Sequence, residues 1–321
     1  MNIKQFLPIL LAVLFIACEK DDIKPIPVPP VEPEQPEKPT TPPTTDDLIK
    51  ITKENMIVGT NAWFDIAFGN GKYVAVGDNG YISTSTNGTS WTTPKQVGTT
   101  RWSKIAYGNG KFFAITLTSY FTTSTNGTTW TTPRKLDVSG GTNDIAYGGG
   151  KLILACYSGN LWTSTDDGQT WSNTHHYGSD TWKIVTYANG KFVAVSTNGY
   201  AISSVDGETW ENRISAINSY YPPVDIAYGN GKFIIVGGKG RLSTSGDAIT
   251  WPATKYIQNL DFNCIEYSNS KFMAVGSLYE NSKYVYYMTT STDGETWTTK
   301  EPLKDESGNA VTNIYGIVGM P

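Results

Sequence analysis

The sequence predicts an all-β fold, a β-propeller of six to seven four-stranded blades, and three observations predict it. A phrase close to Ile66-Ala67-Phe68-Gly69-Asn70-Gly71-Lys72 recurs over residues 105–111, 145–151, 185–191, 226–232 and 265–271. Six tryptophans, Trp91, Trp130, Trp171, Trp210, Trp251 and Trp297, follow these phrases at intervals of 39, 41, 39, 41 and 46 residues. The chain is rich in Gly, Thr, Ser, Tyr and Trp, as turn-dense β proteins require. A repeat of about 40 residues holding several short β runs is the mark of a blade, which buries its faces only against neighbours in a closed ring.

The leader comes first. Lys4 precedes an apolar run of 12 residues, Phe6 to Ala17, which is short for a membrane span and suited to a signal peptide over residues 1–17. Phe15-Ile16-Ala17-Cys18 resembles a bacterial lipobox, with Phe where Leu is usual, and the resemblance implies lipidation of Cys18. The acidic cluster Glu19-Lys20-Asp21-Asp22 resembles export signals of Gram-negative surface lipoproteins, implying an outer-membrane protein exposed at the cell surface. Residues 18–45 continue into the Pro-dense segment 25–43, which cannot join helices or sheet ladders and favours an extended stalk. The propeller is expected over residues 46–321.

Within the first repeat four strands are expected at about 63–68, 72–77, 81–86 and 90–96, with Gly69-Asn70-Gly71 as a tight turn accepting positive φ. Residues 51–57 read as an outermost strand and 312–315 as the start of an innermost one. The two ends of the domain are therefore expected either to build a partial seventh blade or to pack alongside a ring of six. Cys156 falls in the second strand of blade three and Cys264 in the first strand of blade six, nearly across the ring, so no disulfide joins them.

The turn before each tryptophan carries a family resemblance. Ser164-Thr165-Asp166-Asp167-Gly168-Gln169-Thr170-Trp171 resembles the Asp-box of sialidase-like propellers, with shifted variants at Asp206-Gly207-Glu208-Thr209-Trp210 and Asp293-Gly294-Glu295-Thr296-Trp297. Blade five departs most, with Asp247-Ala248. The resemblance spans about residues 60–300. It implies that Asp167, Gly168, Trp171, Asp206, Gly207, Trp210, Asp293, Gly294 and Trp297 are structural turn residues lying away from the active face. An Asp or Asn accepts turn amides, Gly supplies positive φ, and Trp seals the turn. The boxes lack the alternating carboxylates of a calcium loop, so no metal is expected.

What recurs in every blade builds the blade, and what breaks the pattern is the better functional candidate. On the face formed by strand 2–3 and strand 4–1 loops, large residues open the inner strands: Trp63, Trp102, Trp182 and Phe262. Such residues either stack on a ligand or pack between blades. Arg101, Tyr221 and Arg241 break pattern on the same face, as does an insertion in blade six near 278–283. These seven residues are the binding candidates. Asp65, Asp144 and Asp225, with Lys104, occupy equivalent inner-strand positions near the channel and are the catalytic candidates, since facing carboxylates can hydrolyse glycosides. Four arginines in all, with Arg134 and Arg213 in outer strands, and no Arg-Ile-Pro near the start, argue against a sialidase. The adjacent His175 and His176, placed in a loop, would point opposite ways, and no cofactor motif is present. A net charge of -4 argues against nucleic acid. The expectation is a monomeric surface lipoprotein whose non-catalytic propeller binds a glycan or protein. A glycoside hydrolase or lyase at the channel mouth and a structural or assembly factor are the alternatives.

Overall fold

The computed structural model describes residues 48–51, 62–218, 220–304, 308, 310, 314 and 316–319. The chain divides into two units, 1–42 and 43–321, and every described residue belongs to the second. The expectations for the signal peptide, Cys18 and the Pro-dense segment lie outside the described residues.

Strand β1 is Leu48–Ile51. Blade one is β2 (Trp63–Gly69), β3 (Lys72–Gly77), β4 (Tyr81–Ser85) and β5 (Lys95–Gln96). Blade two is β6 (Lys104–Gly108), β7 (Lys111–Ile115), β8 (Tyr120–Ser124) and β9 (Arg134–Lys135). Blade three is β10 (Thr142–Gly148), β11 (Lys151–Cys156), β12 (Asn160–Ser164) and β13 (Ser172–His176). Blade four is β14 (Trp182–Ala188), β15 (Lys191–Ser196), β16 (Tyr200–Ser204) and β17 (Ile214–Ser215). Blade five is β18 (Pro223–Gly229), β19 (Lys232–Gly237), β20 (Arg241–Ser245) and β21 (Lys255–Tyr256). Blade six is β22 (Asp261–Ser268), β23 (Lys271–Glu280), β24 (Lys283–Ser291) and β25 (Glu301–Pro302), and β26 is Gly316–Gly319. Each blade is a four-stranded antiparallel sheet in sequence order. Helical geometry among the described residues is confined to two single turns, Asp78–Gly80 and Gly238–Gly240.

The fold is thus a six-blade all-β propeller, and among the described residues its seam holds a two-stranded sheet. β1 and β26 pair antiparallel as a two-stranded sheet, from Leu48↔Gly319 to Ile51↔Gly316. β26 lies against both β22 and β2. Ile317 joins the apolar cluster of blade six and Val318 that of blade one. Apart from Ile51, the strand expected over 51–57 lies outside the described residues, as do Thr312, Asn313 and Tyr315. The outermost strands are also shorter than expected. In blade one, β5 is two residues long, and Trp91 belongs to the turn before it rather than to the strand. Four bonds from Ser85 and Asn87 hold that turn outside the ladder.

The core is not inside blades but between them. One cluster joins Val74, Val76 and Ile82 of blade one to Trp102, Ile105 and Phe112 of blade two, and the same arrangement repeats around the ring. The Gly that ends four of the six inner strands, β2, β6, β10 and β18, is part of this contact. A Cβ on Gly108 would sit 1.9 Å from the Tyr147 ring of the next blade, so the Tyr of one repeat demands the Gly of the preceding one. The repeated Lys does similar work by hydrogen bonding. Lys72 Nζ donates to the Asn126 carbonyl at 3.2 Å, Lys151 to Asp206 at 2.7 Å, Lys191 to Asp247 at 2.9 Å and Lys232 to Asp293 at 2.9 Å. Each lysine therefore clasps the Trp-containing turn of the following blade.

Cys156 is in β11 and Cys264 in β22, as the repeat placed them, and both are free and buried.

Candidate functional site

The turns before the repeated tryptophans are held by their own Ser and Asp side chains. Asp206 Oδ1 accepts from the amides of Glu208 and Thr209 at 2.8 and 2.7 Å, Ser204 Oγ accepts from the Gly207 amide at 2.8 Å, and Asp293 and Gly294 repeat the pattern. These bonds hold the Asp206 and Asp293 carboxyls well below the ordinary range. In blade three the residue doing this is Asp166, not Asp167: Asp166 accepts from the Thr170 amide at 2.9 Å and is lowered to about 2 by its bonds to Thr170. Asp167 is the extra residue of the longer box. It takes φ +58°, and its carboxylate meets Lys111 at 2.7 Å, so it serves the clasp between blades two and three. Trp171 donates its indole N–H to the Gly168 carbonyl at 3.0 Å and meets Phe121 edge-on, closing the turn onto the neighbouring blade. Trp210 and Trp297 lie partly buried in the equivalent clusters with their indole N–H groups unpartnered.

The aromatic mouth expected from Trp63, Trp102, Trp182 and Phe262 is absent. All four are buried, Trp102 and Trp182 at 0% exposure. Each side chain lies in an apolar cluster, Trp102, Trp182 and Phe262 between two blades and Trp63 at the seam. Trp102 donates its indole N–H to the Val97 carbonyl at 2.7 Å, and Trp182 to Gly159 at 3.1 Å. Ring-bearing residues at this position fill the space between adjacent blades. The other three binding candidates do stand on the strand 2–3 and strand 4–1 loops or their edges. Arg101 pairs with Asp78 at 2.6 Å and lies over Phe64, 4.1 Å from its centroid. Tyr221 and Arg241 are together, with the guanidinium 4.4 Å from the Tyr221 centroid.

The catalytic candidates do meet in one place. Asp65, Lys104, Asp144 and Asp225 line a central cavity of about 260 Å³ together with Asn263, Cys264 and Glu266. Inner strands β2, β10 and β18 shift register just before the aspartate, and that bulge aims each carboxylate at the next blade. Asp65 accepts from the Ile105 amide, Asp144 from Val185 and Asp225 from Ile265, each at 2.9 Å. Asp144 and Asp225 also each accept the amide of the following residue, at 2.9 Å. These three carboxylates are therefore staples between blades one and two, three and four, and five and six. Burial pushes Asp65 up, and pushes Asp144 and Asp225 to about 6 against the pull of Lys104. Burial and the nearby Asp225 raise Glu266 to about 8. The Asp65 carboxylate, aided by Asp144 and Asp225, holds Lys104 above the ordinary lysine range. Lys183 donates to the Pro223 carbonyl at 2.8 Å, a fourth tie, between blades four and five.

His175 and His176 lie in β13 rather than in a loop, because blade three alone has a five-residue outer strand. They do face apart: His175 packs near Tyr177, Trp182 and Trp210, while His176 Nδ1 lies 3.0 Å from Asn160 Oδ1. No group of three or more His, Cys, Asp or Glu among the described residues is arranged to hold a metal.

Sequence reasoning missed the exposed tyrosines of blades five and six. Tyr220, Tyr256, Tyr279 and Tyr284 are 78, 62, 67 and 58% exposed. They surround Arg241 and the blade-six hairpin. The signal was present as the pattern break at Tyr220-Tyr221 and the insertion near 278–283, but the count of tyrosines reaching solvent was not readable.

No protein-family model matches the chain, and no curated protein matches it. Solved structures do. The chain is similar to YCF48 bound to D1 peptide, with 17% identity, TM-score 0.59, and coverage of 78% of this chain and 82% of that one. It is similar to the Neurospora crassa Pan2 WD40 domain at 6% identity and TM-score 0.60, covering 79% and 85% of the two chains. It is also similar to the Niastella koreensis GH74 enzyme at 20% identity and TM-score 0.56, covering 74% of this chain but 37% of that one. These likenesses show the propeller fold.

Proposed function

We propose that this chain is an exported, lipid-anchored surface protein whose propeller binds a partner protein at the face formed by strand 2–3 and strand 4–1 loops, without catalysis. The observation that carries the reading is the division of labour around the ring. The Asp-box turns are engaged in the Lys clasps, and the channel carboxylates are engaged as staples. Four tyrosines of blades five and six, grouped about Arg241 and the blade-six hairpin, are exposed and do neither. Tyr and Arg are the residue types enriched where partners bind. The likeness to a propeller bound to a peptide supports a protein ligand over a glycan. The Pro-dense segment, extended by its composition, suits a stalk that leaves the face free.

Hydrogen exchange on the full chain, with and without surface proteins captured by it, tests the face. Protection of the loops around residues 78–80, 218–222, 238–240 and 278–284 is expected. Protection confined to the Gly-Asn-Gly and Asp-box turns would overturn the reading. The anchor is tested by Cys18→Ser, which should leave the mature protein without its added lipid mass and free of the membrane fraction.

A second reading has one observation in its favour: Asp144 and Asp225 line one cavity with carboxyls raised to about 6, in the working range of a general acid. A glycosidase there would release reducing sugar from a polysaccharide panel, and Asp225→Asn would abolish the release.

A further inference from the structure

We infer that blades five and six carry a groove for an extended acidic segment of a partner protein, with Arg241 as its anion-binding centre. This rests on the binding reading above and narrows it to one sector and one chemistry.

Arg241 opens β20, and its side chain is unusual among the arginines of the ring. It is 8% exposed, and its guanidinium is walled by three rings, 4.4 Å from the Tyr221 centroid, 5.2 Å from Tyr256 and 6.0 Å from Tyr220. One bond, Nη1 to the Gly238 carbonyl at 3.2 Å, is made, while the buried Nε has no partner. Arg101 and Arg213 are each paired with an aspartate, and Arg134 donates to the Gly168 carbonyl. Among the described residues no carboxylate pairs with Arg241. A desolvated guanidinium with an unmet donor is a poor resting state, and a bidentate carboxylate is the group whose geometry completes it. Tyr220, the most exposed of the three rings, is free to swing aside as surface side chains do.

The blade-six hairpin adds the second half of the groove. β23 and β24 run ten and nine residues, against six and five in the corresponding strands of blade five. Their connection, Asn281-Ser282, has φ of 48° and 63°, the left-handed pair of a tight hairpin turn. β22 pairs with β23 as far as Ser277, β25 pairs with β24 from Tyr287 on, and the Leu303 amide donates to the Tyr286 carbonyl, so among the described residues the β23 edge of the tip, Leu278 to Glu280, has no strand beside it. Unpaired strand edges accept another backbone. Tyr279 and Tyr284 face each other across the tip, ring centroids 5.2 Å apart. The tip adjoins the arginine cluster, because Asp261, which pairs with Ser277 at the base of the hairpin, holds Lys239 at 3.0 Å, next to the Gly238 carbonyl that Arg241 binds. Inside that surface Lys239 is compensated by Asp261 at 3.0 Å, and Glu280 accepts from the Tyr287 hydroxyl at 2.8 Å. Arg241 is the buried cation of this surface, and no carboxylate pairs with it among the described residues. An open backbone edge suits a polypeptide, since a glycan has no ladder to offer, and the buried guanidinium without a carboxylate selects an acidic one.

A random peptide library selected on the full chain, with an oligouronate as the acidic-glycan probe, tests this. Selected peptides should be enriched in Asp and Glu and should lose affinity about ten- to a hundredfold on the Arg241→Gln variant, the scale of one charged hydrogen-bonded contact. Tyr220→Ser, at an exposed position that cannot unfold the ring, should weaken them severalfold. No acidic enrichment, an unchanged affinity in both variants, or capture of the oligouronate in place of peptides would overturn the groove. Peptides that bind the same face but ignore both variants would remove this site and leave the proposed function standing. A chain that captures nothing on that face would remove both.

Discussion

Trp102 and Arg101 are neighbours in sequence and opposites in role. The ring of Trp102 is fully buried between blades one and two, while Arg101 sits in solvent against Asp78 and Phe64. Trp102→Ala should therefore cost about 3–5 kcal/mol as a core truncation, read as a drop in melting temperature. Arg101→Gln should cost under about 1 kcal/mol, as exposed ion pairs do. A small loss for Trp102→Ala would contradict the burial. At this scale the sequence was least legible. A large aromatic at the start of an inner strand looks the same whether it faces a ligand or a neighbouring blade. Asp167 and Asp166 are adjacent acids in one box, and only the hydrogen bonds of the folded turn separate the one that caps it from the one that reaches Lys111. The lysine that closes each repeated phrase was in plain view, yet the partner of Lys151, the Asp206 carbonyl, lies 55 residues away.

The blade turn is the element where local chemistry and neighbour contact meet. Gly168 takes φ +83°, and a Cβ there would stand 2.4 Å from the Phe121 ring of blade two. Gly168→Ala should cost about 2–4 kcal/mol through backbone strain and overpacking. Blade five shows why the same residue is tolerated elsewhere. Ala248 holds the equivalent position at φ +63°, and blade four offers Ala201 where blade two has Phe121. Ala248 and Ala201 share one apolar cluster, so the methyl finds room. Phe121→Ala should then soften the penalty of Gly168→Ala, so that the two changes are not additive in a double-mutant cycle. The elements themselves were largely legible, since each repeat states its turns with Gly, Asn and Asp and its strands with short apolar runs. The outer strands were overextended because the residues around Trp91 have strand-like composition while their amides are taken by side chains of the turn.

Across the whole ring, two families of carboxyls pull stability in opposite directions with pH. Asp144 and Asp225 near 6 and Glu266 near 8 hold protons in the folded state that the unfolded chain has released. Their contribution makes the fold more stable as pH falls from about 8 towards about 4. The box aspartates, Asp166 among them at about 2, are held low in the folded state. They stabilise above their ordinary range, and that stability is lost as pH falls below about 4. The melting temperature should therefore peak at mildly acidic pH, and Glu266→Gln should flatten the limb between about 8 and 5. A peak above pH 8 would refute the account. The ring should also hide both thiols. Burial pushes Cys156 up to about 12 and Cys264 up as well, so neither should react with a thiol reagent until the protein unfolds.

The pairing of β1 with β26 couples the earliest described strand to the latest. A polypeptide made or threaded through a pore N-terminus first presents β1 long before its partner exists. Until Gly316–Gly319 arrives, the flanks of blade one and blade six that β26 covers stay bare. Closure therefore waits on the strand made last among those described. Clipping the residues of β26 should leave a molecule that has its six blades but frays from blade one and blade six inward. The chain thus records in its topology a direction of assembly.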